Sequence, residues 1–285
     1  MISTTVAAVV TRFAPSPTGR LHPGHAYSAI RAHDFARRAG GHFLLRIEDI
    51  DAGRSRPEFV AGIEEDLRWL GLNWDGDVVR QSSRLDAYRG ALGALGAGGL
   101  LYPCFCTRAD IAQAASAPHG PEGAVYPGTC RALDPAERTV RMEREPHAWR
   151  IAMDRAVART GSLHWHDGAA GEIAADPMRF GDVVLARKDA PASYHLAVTV
   201  DDAWQRVTDV VRGADLFEAT HIHRLLQALL GLPTPRYHHH PLLLDATGAR
   251  LAKRRGSESL ADLRARCVDP LALADALRRG EAPSR

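Results

Sequence analysis

Arg12-Phe13-Ala14-Pro15-Ser16-Pro17-Thr18-Gly19-Arg20-Leu21-His22-Pro23-Gly24-His25 is the stretch on which the fold turns. An apolar run from Val6 to Phe13 leads into it and reads as a buried strand of a parallel sheet. Two prolines and a glycine then stop regular structure. Beyond the histidines, Ala29, Ala32 and Ala36 recur at helical spacing until Gly40-Gly41 ends the helix. Further out, His42 to Ile47 reads as a second strand, and Ser55-Arg56-Pro57-Glu58 has the form of a capping box. Val60, Ile63, Leu67 and Leu70 follow as a helical stripe, with Gly71 where a C-terminal cap belongs. Strand, loop, helix, strand, helix implies an α/β fold built on a doubly wound parallel sheet.

The pattern weakens between Leu95 and Asp182, a stretch of short mixed segments that holds Pro121, Pro127, Pro146 and most of the cysteines, so it reads as an insertion. Strand signals return at Val183 to Ala186, Leu196 to Val200 and Val207 to Val211. A helix is expected from Phe217 to Leu230, closed by Gly231, and one more short strand at Leu242 to Leu244. His238-His239-His240 reads as loop or strand rather than metal site, because three adjacent side chains cannot face one point.

The 285 residues are 45% hydrophobic and 25% charged, which suits a soluble globular protein with a sizeable core; disorder is expected only from Gly280 to Arg285. A net charge of +2 permits a local basic face for RNA, with Arg108, Arg131, Arg138, Arg141 and Arg144 of the insertion as candidates, but argues against a protein that lives on non-specific phosphate binding. No stretch nears the ~18–20 apolar residues of a membrane span, and Met1 to Val10 has no basic leader. No membrane partner and a cytoplasmic location are expected. Cys104, Cys106 and Cys130 cluster while Cys267 stands apart, and a cluster of this kind without an export signal reads as a metal site rather than a disulfide.

Three motifs can carry chemistry. His22-Pro23-Gly24-His25 opens a helix after a strand, where unpaired N–H groups and the helix dipole suit phosphates. Two imidazoles there can donate to phosphoryl oxygens as charge develops, and Gly24 lets a flat base approach the backbone. Arg12 ends a strand of an open sheet, where ligands bind, and arginine grips a carboxylate through parallel hydrogen bonds. Arg250-Leu251-Ala252-Lys253-Arg254-Arg255 offers four cations to a polyphosphate. Taken alone, the histidine motif reads more readily as surface residues near a turn, the basic run as a solvated loop, and the Arg12 stretch also as a rigid turn with an arginine on its edge.

Together they resemble the glutamyl and glutaminyl type of class I aminoacyl-tRNA synthetase. Arg12 to His25 resembles that family's first signature, Leu45-Arg46-Ile47-Glu48-Asp49 with Asp51 and Arg54 its next segment, and Val207 to Leu216 a later one. Arg250 to Arg254 is similar to its second ATP signature, with Arg250 and Ala252 in place of the usual Lys and Ser. The chain ends about 30 residues after Lys253, without the family's anticodon-binding part. That length, and Phe217 to Leu226, resemble the branch that attaches glutamate to the queuosine base in the anticodon of tRNA(Asp).

The resemblance implies a Rossmann-type catalytic domain in two halves, 1–95 and 183–240, a zinc-containing insertion at 96–182, and an ATP-signature loop with a short helical end at 241–285. It implies activation of L-glutamate by ATP with Mg²⁺, independent of tRNA, then transfer to queuosine-bearing tRNA(Asp). His22, His25 and Lys253 become the catalytic residues, and together with Gly24 they hold ATP. Glutamate falls to Arg12, Phe13, Ala14, Pro15, Ser16, Glu48, Tyr194 and Arg212: Glu48 for the ammonium group, the two arginines for the two carboxylates in either order. One structural Zn²⁺ falls to Cys104, Cys106, Tyr126 and Cys130, with His119 or water competing for the fourth position. Rival readings are a compact glutamyl-tRNA synthetase charging a 3′ end, a small-molecule adenylyltransferase, and a non-catalytic RNA-binding relic.

Overall fold

The computed structural model describes residues 8–107, 110, 125–244 and 258–282. The opening is strand β1 (Val10–Phe13), helix α1 (Pro23–Arg38), β2 (His42–Ile47), α2 (Pro57–Trp69) and β3 (Val79–Arg80). β1 pairs parallel with β2, Val10 opposite His42 and Phe13 opposite Leu45, and β2 pairs parallel with β3. The alanine stripe explains how α1 sits: Ala29, Ala32 and Ala36 are wholly buried, and their small side chains let the helix lie close on the strands. Val60, Ile63, Leu67 and Leu70 are buried too, and Gly71 takes a left-handed φ of 74° beyond the end of α2.

The capping box expected at Ser55 does not form. Pro57 occupies the first helical position, so Arg56 becomes the cap residue without a side-chain bond and Glu58 falls one place short of closing the box. Among the described residues the buried Ser55 hydroxyl has no hydrogen-bond partner.

After α3 (Leu85–Ala97) the chain leaves the parallel sheet. β4 (Leu101–Cys104), α4 (Pro135–Arg144), β5 (Ala148–Ile151), α5 (Met153–Thr160), the hairpin of β6 (His164–Asp167) and β7 (Gly171–Ala174), and β8 (Val184–Ala186) follow. Strands β4, β5 and β8 form a small antiparallel sheet. Two features cut across the organisation read from sequence. β8 belongs to this small sheet, and the β6–β7 hairpin, 72 residues before its hydrogen-bonded partner His239, joins the main one.

The stretch read as a strand at Leu196 to Val200 is a helix, α6 (Tyr194–Trp204). Leu196, Ala197, Val198 and Thr199 are all buried, and a run enclosed on every side loses the 3.6-residue alternation that would mark it as helical. β9 (Asp209–Gly213), α7 (Ala219–Leu230) and β10 (Arg236–His240) complete the core, and α8 (Leu260–Ala265) and α9 (Pro270–Arg278) close against it. Of the strand expected at Leu242 to Leu244, Leu242 and Leu243 have no regular structure and only Leu244 makes an isolated bridge. β10 pairs parallel with β9 and with β6. Thr208, just before β9, bonds Val10 of β1 in both directions (Thr208 N to Val10 O, 3.0 Å; Val10 N to Thr208 Oγ1, 2.8 Å). β1 therefore lies beside β9, the strands run β3-β2-β1 and then β9-β10-β6-β7, and the carboxyl ends of β1, β2, β9 and β10 border one crevice.

The tight start of β2 is testable. A methyl on Gly41 would stand 2.1 Å from the Val9 carbonyl oxygen, whereas one on Gly40 meets open space and only the strain of a φ of 62°. Gly41→Ala is expected to cost ~1–3 kcal/mol or more through backbone displacement, Gly40→Ala ~1 kcal/mol. Urea unfolding midpoints measure both, and equal losses would contradict the clash.

Candidate active site

The crevice holds a cavity of about 530 Å³ at the carboxyl ends of β1, β2, β9 and β10. Arg12, Phe13, Ala14, Pro15, Ser16, His22, Gly24, His25, Glu48, Tyr194 and Arg212 all line it. Lys253, Arg250 and Ala252 lie outside the described residues, as does His119. Thr18, Tyr27, Ser28, Asp215, His240, Leu242 and Leu243 also line the cavity and were not singled out by sequence. The loop after β1 is held against its surroundings by backbone bonds from Glu48 N to Pro15 O (3.0 Å) and Arg56 N to Pro17 O (3.2 Å).

His22 and His25 form the capping box of α1, a role the sequence reading did not assign them. His22 Nδ1 accepts from Gly24 N at 3.1 Å, and His25 Nδ1 accepts from His22 N at 3.2 Å. With both Nδ1 atoms used as acceptors, each neutral ring carries its proton on Nε2. The rings lie 3.8 Å apart between centroids at the N-terminus of α1.

Beneath the cavity lies a buried ion network. Asp202 of α6 accepts from Arg12 Nε (3.0 Å) and Nη2 (3.3 Å) and from Arg46 Nη1 (2.8 Å). Arg46 Nη2 reaches Glu48 at 3.3 Å. Its neighbour Asp201 accepts from Gln81 (2.8 Å), Arg84 (2.6 Å) and Tyr88 (2.6 Å). Burial raises the Asp202 carboxyl, but Arg12 and Arg46 outweigh it and hold the group below the usual carboxylate range. For Glu48 the balance is opposite: burial wins over Arg46 and Arg12, and its carboxyl is pushed up. Glu48 is thus a carboxylate short of positive charge, suited to an ammonium group.

Arg212 ends β9 and is 5% exposed. Its donors meet neutral acceptors: His239 Nε2 (3.1 Å), Tyr194 Oη (3.3 Å), His223 Nδ1 (3.3 Å), Leu216 O (3.0 Å) and Thr220 Oγ1 (2.6 Å). Among the described residues it contacts no carboxylate, whereas Arg12, Arg46 and Arg84 each pair with one. His223 passes a hydrogen bond on to His195 Nδ1 at 3.2 Å. Burial first, then Arg212, depresses His195 and His239 to about 4 and His223 well below its ordinary value. The roles of Asp201, Asp202, His223 and His239 escaped the sequence reading, which took His239 only as a loop or strand residue, because no local signal marks a buried polar residue whose partner is distant in the chain.

In the insertion, the sulfurs of Cys104, Cys106 and Cys130 lie within 4.8 Å of one another, with Cys106 and Cys130 at 3.4 Å. Tyr126 Oη is 3.8 Å from Cys106 Sγ and accepts from Cys130 N at 2.7 Å. Phe105 N–H donates to Cys130 Sγ at 3.3 Å. Burial opposes ionisation of Cys130, yet the bonds from Tyr126 and Phe105 hold its thiol below the usual value. Tetrahedral thiolate ligation with bonds near 2.3 Å puts sulfurs about 3.8 Å apart, which this cluster meets with small adjustments, so the group could hold a metal ion.

A parallel sheet with paired histidines at the start of its first helix and an arginine-lined crevice at its strand ends is the arrangement of a class I aminoacyl-tRNA synthetase core. The chain belongs to the tRNA synthetases class I (E and Q): the model of that catalytic domain matches residues 8–283. It is 53% identical over 276 residues to the glutamyl-Q tRNA(Asp) synthetase of Rhodobacter capsulatus, covering 92% of this chain and 97% of that protein. The corresponding enzyme of Symbiobacterium thermophilum is 48% identical, over 91% of this chain and 82% of its own length. A glutamate tRNA ligase from Elizabethkingia meningosepticum, solved in complex with its amino acid, superposes with a TM-score of 0.73 at 28% identity, over 87% of this chain. The chain spans about half of that ligase, 52%.

The buried imidazoles set a pH dependence of stability. His195, His221 and His239 have folded values near 4 against an ordinary 6.5. Between those limits the unfolded chain binds protons that the native state refuses, so stability falls as pH drops from 7 toward 4. Each group contributes up to ~1.4 kcal/mol per pH unit in that window. Asp66, raised to about 6 by burial, acts in the opposite sense between about pH 6 and 4 but is one group against three, and Asp34 and Asp209, lowered to about 2, act only below about pH 4. Urea midpoints at pH 7, 6 and 5 are expected to fall steadily; a flat series would contradict neutral buried histidines.

Proposed function

We propose that the chain activates L-glutamate with ATP to glutamyl-adenylate and pyrophosphate, then transfers the glutamyl group to the queuosine base in the anticodon of tRNA(Asp). The observation that carries this reading is the single cavity in which Arg12, Ser16, His22, His25, Glu48, Tyr194 and Arg212 converge. The names of the relatives supply the acceptor. Among the described residues no helix is long and apolar enough to cross a membrane. We place the reaction in the cytoplasm, where thiols remain reduced.

In the first step the α-carboxylate attacks the α-phosphorus of Mg²⁺-bound ATP in line, and pyrophosphate leaves. Charge spreads over the phosphoryl oxygens, so positioning and electrostatics are the protein's contribution. His22 and His25 donate from Nε2, Gly24 leaves room for the nucleotide, and Lys253 stabilises the departing pyrophosphate. Glu48 pairs with the ammonium group and Ser16 adds a hydrogen bond. Phe13, Ala14 and Pro15 form the apolar wall. Arg12, whose Nη1 makes no hydrogen bond among the described residues, supplies a directed donor. Arg212 and Tyr194 supply the charge and hydroxyl for the second carboxylate. In the second step a hydroxyl of the acceptor attacks the activated carbonyl and AMP leaves.

We assign the metal-capable cluster to one structural Zn²⁺ on Cys104, Cys106, Cys130 and Tyr126, holding the insertion at residues 96–182 together. Three sulfurs and a phenol oxygen favour zinc over hard cations. Purified protein is expected to carry about one zinc per chain, and Cys130→Ser to lose it along with thermal stability. Metal content by plasma emission decides this, and full zinc in the variant would overturn the ligand set.

Labelled glutamate, ATP and Mg²⁺ with tRNA(Asp), with and without queuosine, test the whole reading. Label is expected only on the queuosine form and is expected to survive removal of the 3′ end; label on the 3′ end of tRNA(Glu) would refute it. In ATP–pyrophosphate exchange, glutamate is expected to exceed glutamine by a factor set by several kcal/mol, since glutamine leaves a buried guanidinium without its anion. Equal efficiency would refute the assignment of the arginines.

A further inference from the structure

Arg212 is held by an acceptor that is itself held by a carboxylate. His239 of β10 takes the Arg212 Nε–H on Nε2 at 3.1 Å, so its own proton sits on Nδ1, which donates to Asp167 Oδ2 at 2.8 Å. Asp167 is locked in turn: its Oδ2 accepts from His239 N (3.1 Å), and its Oδ1 accepts from Ala169 N (2.9 Å) and Ala170 N (3.0 Å) in the β6–β7 hairpin. The side chains of His239 and Asp167 are 3% and 2% exposed. Trp165 and Phe217 enclose the imidazole at 5.9 and 5.0 Å between ring centroids.

The order of groups in this chain has a consequence. Asp167 placed directly on Arg212 would form an ion pair and cancel the charge that a ligand carboxylate needs. A neutral imidazole between them fixes the guanidinium in direction while keeping the anion one ring away. The other acceptors on Arg212 are neutral as well. Glutamate and glutamine differ little in shape, so a site separates them chiefly by whether its guanidinium retains an unmatched charge.

We infer that His239, oriented by Asp167, is a positioning residue that aims Arg212 at the second carboxylate of the amino acid and preserves its charge, and thereby sets selectivity for the acid over its amide. This rests on the reading that Arg212 faces that carboxylate.

The test is ATP–pyrophosphate exchange by the full chain and three variants, with KM read separately for glutamate, glutamine and ATP. His239→Gln keeps a neutral acceptor toward Arg212 and a donor toward Asp167, and is expected to retain most of the selectivity. His239→Leu leaves a buried Arg212 donor unmatched and is expected to raise KM for glutamate on the order of tenfold or more, with KM for ATP unchanged. His239→Glu sets an anion on Arg212 and is expected to weaken glutamate more than glutamine, so the ratio between them collapses. Should His239→Leu fail to fold by circular dichroism, the comparison of Gln with Glu decides. Wild-type selectivity in both His239→Leu and His239→Glu overturns the inference, as does an equal rise of KM for ATP and glutamate, which a merely structural role would give. A wild-type protein that activates no glutamate would instead overturn the functional reading, and this inference with it.

Discussion

The carboxylate of Asp202 is the contact on which the site depends. It lies in α6 and bridges Arg12 at the end of β1 and Arg46 at the end of β2, 190 and 156 residues away. Burying one carboxylate costs several kcal/mol unless it is paired, and here two guanidiniums converge on it with good geometry. The same contact ties the first half of the sheet to the helix that carries Tyr194, and it positions Arg46 to hold Glu48. Stability and the geometry of the cavity therefore rest on one group.

Around that network the protein separates charge from hydrogen bonding. Arg12, Arg46 and Arg84 are matched by acids, whereas Arg212 is satisfied by imidazole, hydroxyl and carbonyl oxygen. Satisfying its donors with neutral groups avoids the penalty of unmet polar atoms while leaving an electrostatic site for an anion. Neutral histidines are required for this, and burial beside a cation keeps them neutral. The His22 and His25 pair obeys the same logic at smaller scale: their use as helix caps fixes which nitrogen donates.

The insertion contributes more than a metal-capable knuckle. Its small sheet takes β8 from the segment after it, and its hairpin places Asp167 behind His239. Asp167 thus ties the β6–β7 hairpin into the main sheet behind Arg212, while the cavity itself is lined from β1, β2, β9, β10 and the segments that follow or flank them.

Much of this was legible in the sequence because it is local. Proline, glycine and the alanine stripe mark the β1 loop and α1; the apolar stripe marks α2; Cys104, Cys106 and Cys130 fall close enough in the chain to suggest one site. The ordered signatures from Arg12 to Val207–Leu216 named residues that the structure brings to one cavity. The sequence misled where burial erases periodicity, as in α6, and where a fixed proline shifts a cap by one residue, as at Ser55. It was silent on Asp202 beneath Arg12, on the tautomers of His22 and His25, and on Asp167 behind His239. These are pairings between groups far apart in the chain or oriented by backbone donors. A residue type announces what it can bond, but only the packed chain decides which partner lies within about 3 Å of it.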